Sequence, residues 1–296
     1  MNYYDEIKRK LIDNEIYSKV KDYSKEMNKI NTYFEIGKLL NEAGGKYGEN
    51  IIGEYAEKLV LEVGKKYNRS TLFRMKQFYN VFNNEKVAPL VRQLSWSHCL
   101  ILLPLKDINK INYYINQISN RNLSKRQLQD IIKSKEYERL PINTKNKLIN
   151  KEKITAIDLV KNPIRIKNSK NKEIISEKIL QKLILENIST FLKELGNGFT
   201  FIDNEYKIKL DDRYNYIDLL LYNIKHKCYV VVELKVTELR KEHTGQIMTY
   251  MNYIDKNIKT LEENKTVGII ICKKNNDYVI EFCSDSRIIA REYEIV

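Results

Sequence analysis

The chain has 296 residues, 43% of them hydrophobic, which is enough for two domains with cores of their own. Its formal net charge of +13 favours a polyanionic partner, although a Lys-, Ile-, Asn- and Tyr-rich composition of this kind also follows from coding bias. No apolar run is long enough to span a bilayer and Met1–Glu6 does not open a signal peptide, and the scattered Cys99, Cys228, Cys272 and Cys283, without Cys-x-x-Cys spacing, argue against a disulfide framework or a zinc site, so a reduced cytoplasm is expected.

In chain order, residues 1–30 predict polar helix, with Tyr3, Ile7, Leu11, Ile16 and Val20 at loose helical spacing. A second helix over 31–41 is expected to break at Ala43-Gly-Gly-Lys-Tyr-Gly48, because glycine disfavours helix interiors. Another amphipathic helix runs from Tyr55 to Val63 and stops at Gly64. Asn68 is placed to cap a helix through about Phe82, which presents Arg74 and Lys76, and Ser124-Lys-Arg-Gln127 is a capping box that presents Lys125 and Arg126. Basic residues near helix starts suit phosphate contacts, so these four are candidate nucleic-acid-binding residues. Ser95-Trp-Ser-His98 looks like a site, but no second His, Cys or acid at ligand spacing accompanies His98, and packing of a helix start is the simpler reading.

Residues 1–140 therefore form a helical domain, 141–172 a Lys- and Asn-rich linker, and 173–296 a second domain. The latter opens with a long helix, Glu173–Leu195, closed by Gly196-Asn-Gly198. Strands follow at Phe199–Leu210, Tyr216–Tyr222 and Tyr229–Lys235, then a helix carrying Gln246 and Tyr250, and further strands at Val267–Cys272, at Tyr278–Phe282 and at the C-terminus.

The two central strands are joined by the six residues Asn223–Cys228 and read as a hairpin. A turn centred between Lys225 and His226 sets Asp218 opposite Glu233 and Tyr216 opposite Lys235, with Ile217, Leu219, Val232 and Leu234 on the other face. Two like charges placed opposite each other repel, and a divalent cation such as Mg²⁺ or Mn²⁺ removes that repulsion. Glu-x-Lys alone is cheap in this chain, for it recurs at Glu6, Glu205 and Glu263. The copy at Glu233 differs because it ends an apolar strand, faces an aspartate across a turn and precedes a helix with Gln and Tyr one turn apart.

Asp218 followed by Glu233-Leu-Lys235 resembles the signature of the PD-(D/E)xK nuclease superfamily, and Gln246-Ile-Met-Thr-Tyr250 is similar to the Gln-x-x-x-Tyr pattern of its RecB-like branch. Tyr-Ile-Asp218 stands where the superfamily name implies Pro-Asp. The stretch from Gly198 to Tyr253 resembles the nuclease half of the YhcG or DUF1016 family. Its amino-terminal half is matched by Glu35-Ile-Gly-Lys38, by Asn68-Arg-Ser70 through Phe78-Tyr79, and by Leu94-Ser-Trp-Ser-His98. The resemblance implies a winged-helix-like DNA-binding domain ahead of a restriction-endonuclease-like α/β domain with a mixed sheet. It implies Asp218, Glu233 and the Leu234 carbonyl as metal ligands, with Lys235, Gln246 and Tyr250 completing the catalytic set.

Many such nucleases add a glutamate from the first helix. Glu177 and Glu186 both remain candidates, because relatives carry an acid near Gln181, where this chain has an amide. The resemblance further implies a role in restriction or anti-phage defence with partner proteins, and double-strand cleavage from a single site favours a homodimer. Two rivals stand beside a Mg²⁺-dependent deoxyribonuclease: a catalytically inactive DNA-binding or recruitment module, and a protein-interaction protein whose charge is background.

Overall fold

The computed structural model describes residues 2–19, 25–48, 50–83, 91, 94–169, 171–174 and 176–296. They fall into two compact units, Met1–Tyr137 and Glu138–Val296.

The first unit contains α1 (Tyr3–Lys19), α2 (Lys25–Tyr47), α3 (Asn50–Glu62), α4 (Arg69–Phe82), α5 (Trp96–Leu102), α6 (Ile108–Arg121) and α7 (Lys125–Lys133). Asn68 caps α4 by accepting the Thr71 N–H at 3.1 Å, and Ser124 and Gln127 close the expected capping box on α7. The predicted break at Ala43 does not occur. Ala43 is fully buried among Ile7, Leu11, Ile36 and Leu40, so packing outweighs the glycine penalty and α2 continues to Tyr47, with Gly48 at φ 85° beyond it. Gly37 lets α2 and α4 touch, since a Cβ there would lie 2.2 Å from the Met75 carbonyl oxygen. Helix α6 carries Ile108, Ile111, Ile115 and Ile118 at helical spacing, and it is fixed at its start by Asp107, which accepts the N–H groups of Asn109 and Lys110. The ring of Trp96 meets Tyr33 and Phe78 edge-on, and Ser95 caps α5 and lies 3.1 Å from His98 Nδ1, so this motif packs a helix start. Among the described residues of this unit there is no strand to form a wing.

The second unit contains α8 (Ile142–Asn150), β1 (Ile164–Ile166), α9 (Glu177–Glu186), α10 (Ile188–Leu195), β2 (Phe199–Leu210), β3 (Arg213–Asn223), β4 (Cys228–Glu238), α11 (Lys241–Asn257), β5 (Val267–Lys274), α12 (Asp277–Glu281) and β6 (Ile288–Ile295). Its sheet runs β1-β6-β5-β4-β3-β2, parallel from β1 to β4 and antiparallel from β4 to β2. The stretch expected as a linker is instead part of this fold: β1 pairs with β6, and Ala156, Ile157, Val160 and Ile164 are core residues. Its polar composition hid these few apolar side chains, whose partners lie far away in sequence.

The strand expected at Tyr278–Phe282 is the short helix α12, and the long helix expected over 173–195 is two helices. Asn187 leaves helical geometry at φ −130° and ψ 34° and starts α10, as a side chain that competes for backbone hydrogen bonds is apt to do. Both helices cover the face that carries Leu219, Leu221, Val232 and Leu234. Helix α11 covers the other face through Ile247, Tyr250, Met251 and Ile254, and it approaches β5 closely because Gly268 leaves room for Ile247 and Met251. No helix among the described residues is long and apolar enough to cross a membrane.

Candidate active site

Five residue pairs from Asn223↔Cys228 to Leu219↔Val232 zip the β3–β4 hairpin in the register expected from its turn. One step further, at Asp218 and Glu233, the ladder stops. Asp218 Oδ2 there accepts the Leu234 N–H at 2.7 Å, so a side chain takes over a main-chain role and the strand end stays open. On the other flank the β2 residue opposite Asp218 is Glu205, which has φ 51°, and neither is a ladder pair although Asn204↔Leu219 and Tyr206↔Ile217 are.

This irregularity corrects two expectations. Ile217 packs on the α11 face with Leu220 and Val231, not with Leu219 and Val232, because the alternation slips at Asp218. Tyr216 pairs with Lys207 on β2 and is half exposed, and the β3–β4 ladder ends at Leu219↔Val232, so Tyr216 and Lys235 form no ladder pair.

Lys235 lies instead between two glutamates, its Nζ 3.5 Å from Glu233 Oε2 and 3.6 Å from Glu177 Oε2. Of the two candidate helix acids, Glu177 is therefore the one beside the motif, at the N-terminus of α9. Glu186, at the other end of that helix, pairs with Lys172 at 3.1 Å. Gln181, one turn after Glu177, donates its amide to the Asp218 carbonyl at 2.8 Å and fixes the strand where the ladder fails.

Glu233 is 1% exposed, and its Oε1 is buried without a hydrogen-bond partner. Burial, then the charge of Asp218, pushes the Glu233 carboxyl well above the usual range, and Lys235 only partly offsets them. Asp218 is pushed up as well, by burial and by Glu177 and Glu205, against the pull of the Leu234 N–H and Lys235. The protein alone thus leaves this pair short of positive charge.

Across the site, α11 contributes Gln246, whose Nε2 donates to the Tyr250 hydroxyl at 3.0 Å. The Tyr250 hydroxyl is held above its usual pKa by burial, and Glu233, Lys235 and Asp218 all act on it electrostatically. His243 on the same helix was missed by the sequence reading, since a His in a polar helix start gives no signal of its own. Lys235 and Glu177 act on its ring too.

In the first unit Arg74, Lys125 and Arg126 are exposed and Lys76 is half-buried. Arg74 and Lys76 line an open groove on α4 with Ser70, Phe73, Gln77 and Asn80. Lys125 and Arg126 open α7, and α5 packs against both helices.

Among the described residues no three His, Cys, Asp or Glu side chains converge as a ready metal cage. The donor set still suits one hard cation. Mg²⁺ is ordinarily held by one or two carboxylates with water and substrate phosphate, and the orphaned Glu233 Oε1 beside Asp218 is a donor in want of such a partner. Leu234, expected to offer its carbonyl, follows Glu233 directly, and its N–H is engaged with Asp218.

The YhcG PDDEXK nuclease domain matches residues 157–296, and the DUF1016 N-terminal domain matches residues 9–139. The chain is 23% identical to the YhcG protein of Escherichia coli (strain K12), over 81% of this chain and 76% of that one. Solved structures with a local likeness include a repair endonuclease from Pyrococcus abyssi, at 17% identity, a TM-score of 0.29 and coverage of 43% of this chain and 49% of that one. An EndoMS–dsDNA complex is similar at 18% identity and a TM-score of 0.30, over 44% of this chain and 48% of the other. The chain thus spans about half the length of each of these two structures.

Proposed function

Because this chain belongs to the YhcG/DUF1016 family of PD-(D/E)xK proteins, we propose that it is a metal-dependent nuclease that hydrolyses DNA phosphodiester bonds at the open end of its hairpin. The observation that carries this reading is the buried, unpartnered Glu233 Oε1 of a carboxyl that already feels the charge of Asp218, with one lysine at hand. A purely structural hairpin has no reason to bury such a group, which costs about 1–3 kcal/mol when left unpaired.

Asp218 and Glu233 would hold the cation, with the Leu234 carbonyl as a further donor. When bound, a divalent cation activates a water and neutralises charge on the scissile phosphate. Asp218 is held in place from both sides, by the Leu234 N–H on its carboxylate and by Gln181 on its carbonyl. Lys235 would supply a compact positive charge to the pentacoordinate phosphorus as it forms, the work an ammonium does well in a site shielded from water. Tyr250 accepts from Gln246 and so keeps its own O–H free to donate to water or phosphate. Arg74, Lys76, Lys125 and Arg126 would hold the duplex through its phosphates, independently of sequence.

The test is cleavage of plasmid and branched DNA with Mg²⁺ or Mn²⁺ by wild type, Glu233→Ala and Lys235→Ala. Metal-dependent cutting that both variants lose is the expected result. A wild type that binds DNA with a steep salt slope yet never cuts would replace this reading with DNA recruitment.

A further inference from the structure

Helix α11 begins with an unusual division of labour. His243 Nδ1 accepts the Arg240 N–H at 3.1 Å, which ties down the backbone just before the helix. A ring nitrogen that accepts a hydrogen bond carries no proton, so in the neutral ring the proton sits on Nε2. Burial first, and then the Lys235 ammonium, favours that neutral ring.

Glu or Gln at this third helical position would reach back to the same N–H, as Gln127 does to Ser124. What His adds is the second nitrogen, and Nε2 has no protein partner among the described residues. His243, Gln246 and Tyr250 follow at helical spacing and form one stripe, with the first and last about 10 Å apart along the axis. Lys235 acts electrostatically on both ends of that stripe, and the acids that act on the two ends differ: Glu233 and Asp218 at Tyr250, Glu177 and Glu242 at His243. The stripe thus runs outward from the carboxylate pair with a free donor at each end, about as far apart as one to two phosphates of a nucleic-acid strand.

We infer that His243 is a substrate-positioning residue whose Nε2–H donates to a phosphate oxygen of the strand being cut, beside the scissile phosphate. This rests on the nuclease reading of the same site. A neutral donor here has a physical advantage, because it draws phosphate towards the acids without neutralising them.

Two substitutions separate the cap from the contact. His243→Asn keeps an acceptor where Nδ1 lies and has no atom at Nε2. His243→Gln offers an amide N–H near Nε2 and, like Gln127 on α7, an oxygen that can accept the N–H before the helix. Both are compared with wild type for KM and kcat in Mg²⁺, and for DNA binding in an Asp218→Asn background, alongside thermal midpoints. His243→Asn is expected to raise KM and weaken binding about tenfold, the usual effect of a lost hydrogen bond to a charged group, with an unchanged midpoint. His243→Gln is expected to bind and cut nearly as wild type, with an unchanged midpoint. The reverse pattern, or no effect on binding from either variant, overturns the inference and makes His243 a cap alone while leaving the nuclease intact. A wild type that neither cuts nor binds removes the nuclease reading, and this inference with it.

Discussion

The second unit buries two clusters of charge, and they are built on opposite principles. In one, Arg139 grips Glu194 with both terminal nitrogens, the Arg165 N–H reaches the same carboxylate at 3.0 Å, and Lys161 donates to the carbonyls of Lys193 and Glu194 at the end of α10. Burial opposes the charge of Glu194, yet the Arg139 hydrogen bonds and the Lys161 and Arg139 charges hold its carboxyl below the usual range. In the other, two carboxylates share one lysine, an oxygen of Glu233 goes unpartnered, and both acids are pushed up. A buried charge that is fully paired holds a fold together; one left short is waiting for something the chain does not supply.

The strongest way to break this contrast is to remove the incomplete cluster. Glu233→Ala is expected to lower cutting by at least about 10²–10³-fold, on the scale of losing one group that stabilises transition-state charge. The same variant is expected to cost little stability in metal-free buffer, because the lost carboxylate was poorly satisfied. Plasmid cleavage and urea unfolding on one preparation check both halves, and unfolding by several kcal/mol would place Glu233 with the structural acids.

Glu194→Gln should do the opposite. It leaves Arg139 buried opposite an amide and is expected to cost about 3 kcal/mol in urea unfolding, with cutting per folded molecule unchanged. The sign of its pH dependence follows from the lowered folded-state pKa. The stability that Glu194 contributes is present above its unfolded value, near 4.5, and disappears as the pH falls through the lower folded value. Wild type and Glu194→Gln therefore converge in acid, and a gap that widened there would contradict the pairing.

A cation sharpens the same comparison from the other side. At ten times its dissociation constant a ligand that binds only the folded state adds about 1.4 kcal/mol, or roughly 2–4 °C per kcal/mol for a unit of this size. Mg²⁺ should raise the midpoint of wild type by a few degrees and that of Glu233→Ala not at all. Equal shifts in both would locate the ion elsewhere.

How much of this was readable beforehand depends on sequence distance. Asp218, Glu233 and Lys235 belong to one hairpin, and a six-residue turn fixes its register, so their opposition could be derived locally. The caps at Asn68 and Ser124 were equally local. Ile217 was misplaced because the slip beside it depends on Glu205 of a different strand. The pairing of β1 with β6 joins residues more than a hundred positions apart, and nothing near Ile164 announces it. His243 was invisible because its meaning comes from the ring nitrogen it leaves unused, a property of geometry and not of pattern.

The choice between Glu177 and Glu186 was also beyond the sequence, for it turns on where Ser176 starts α9 and how that helix meets the sheet. The smallest predicted effect probes that choice. Glu186→Gln weakens a partly exposed pair with Lys172 and is expected to change stability by less than about 1 kcal/mol and cutting not at all. Glu177→Gln is expected to be as mild for stability, yet it removes one of the two carboxylates between which Lys235 is poised. The ammonium then settles on Glu233, already 3.5 Å away, and competes for the oxygens a cation needs. The expected signature is a Mg²⁺ requirement raised about threefold to tenfold, with the rate at saturating metal close to wild type, as a competing charge worth about 1 kcal/mol would give. A Mg²⁺ titration of cutting by the two variants decides it, and equal requirements would show that Glu177 merely solvates the rim of the site.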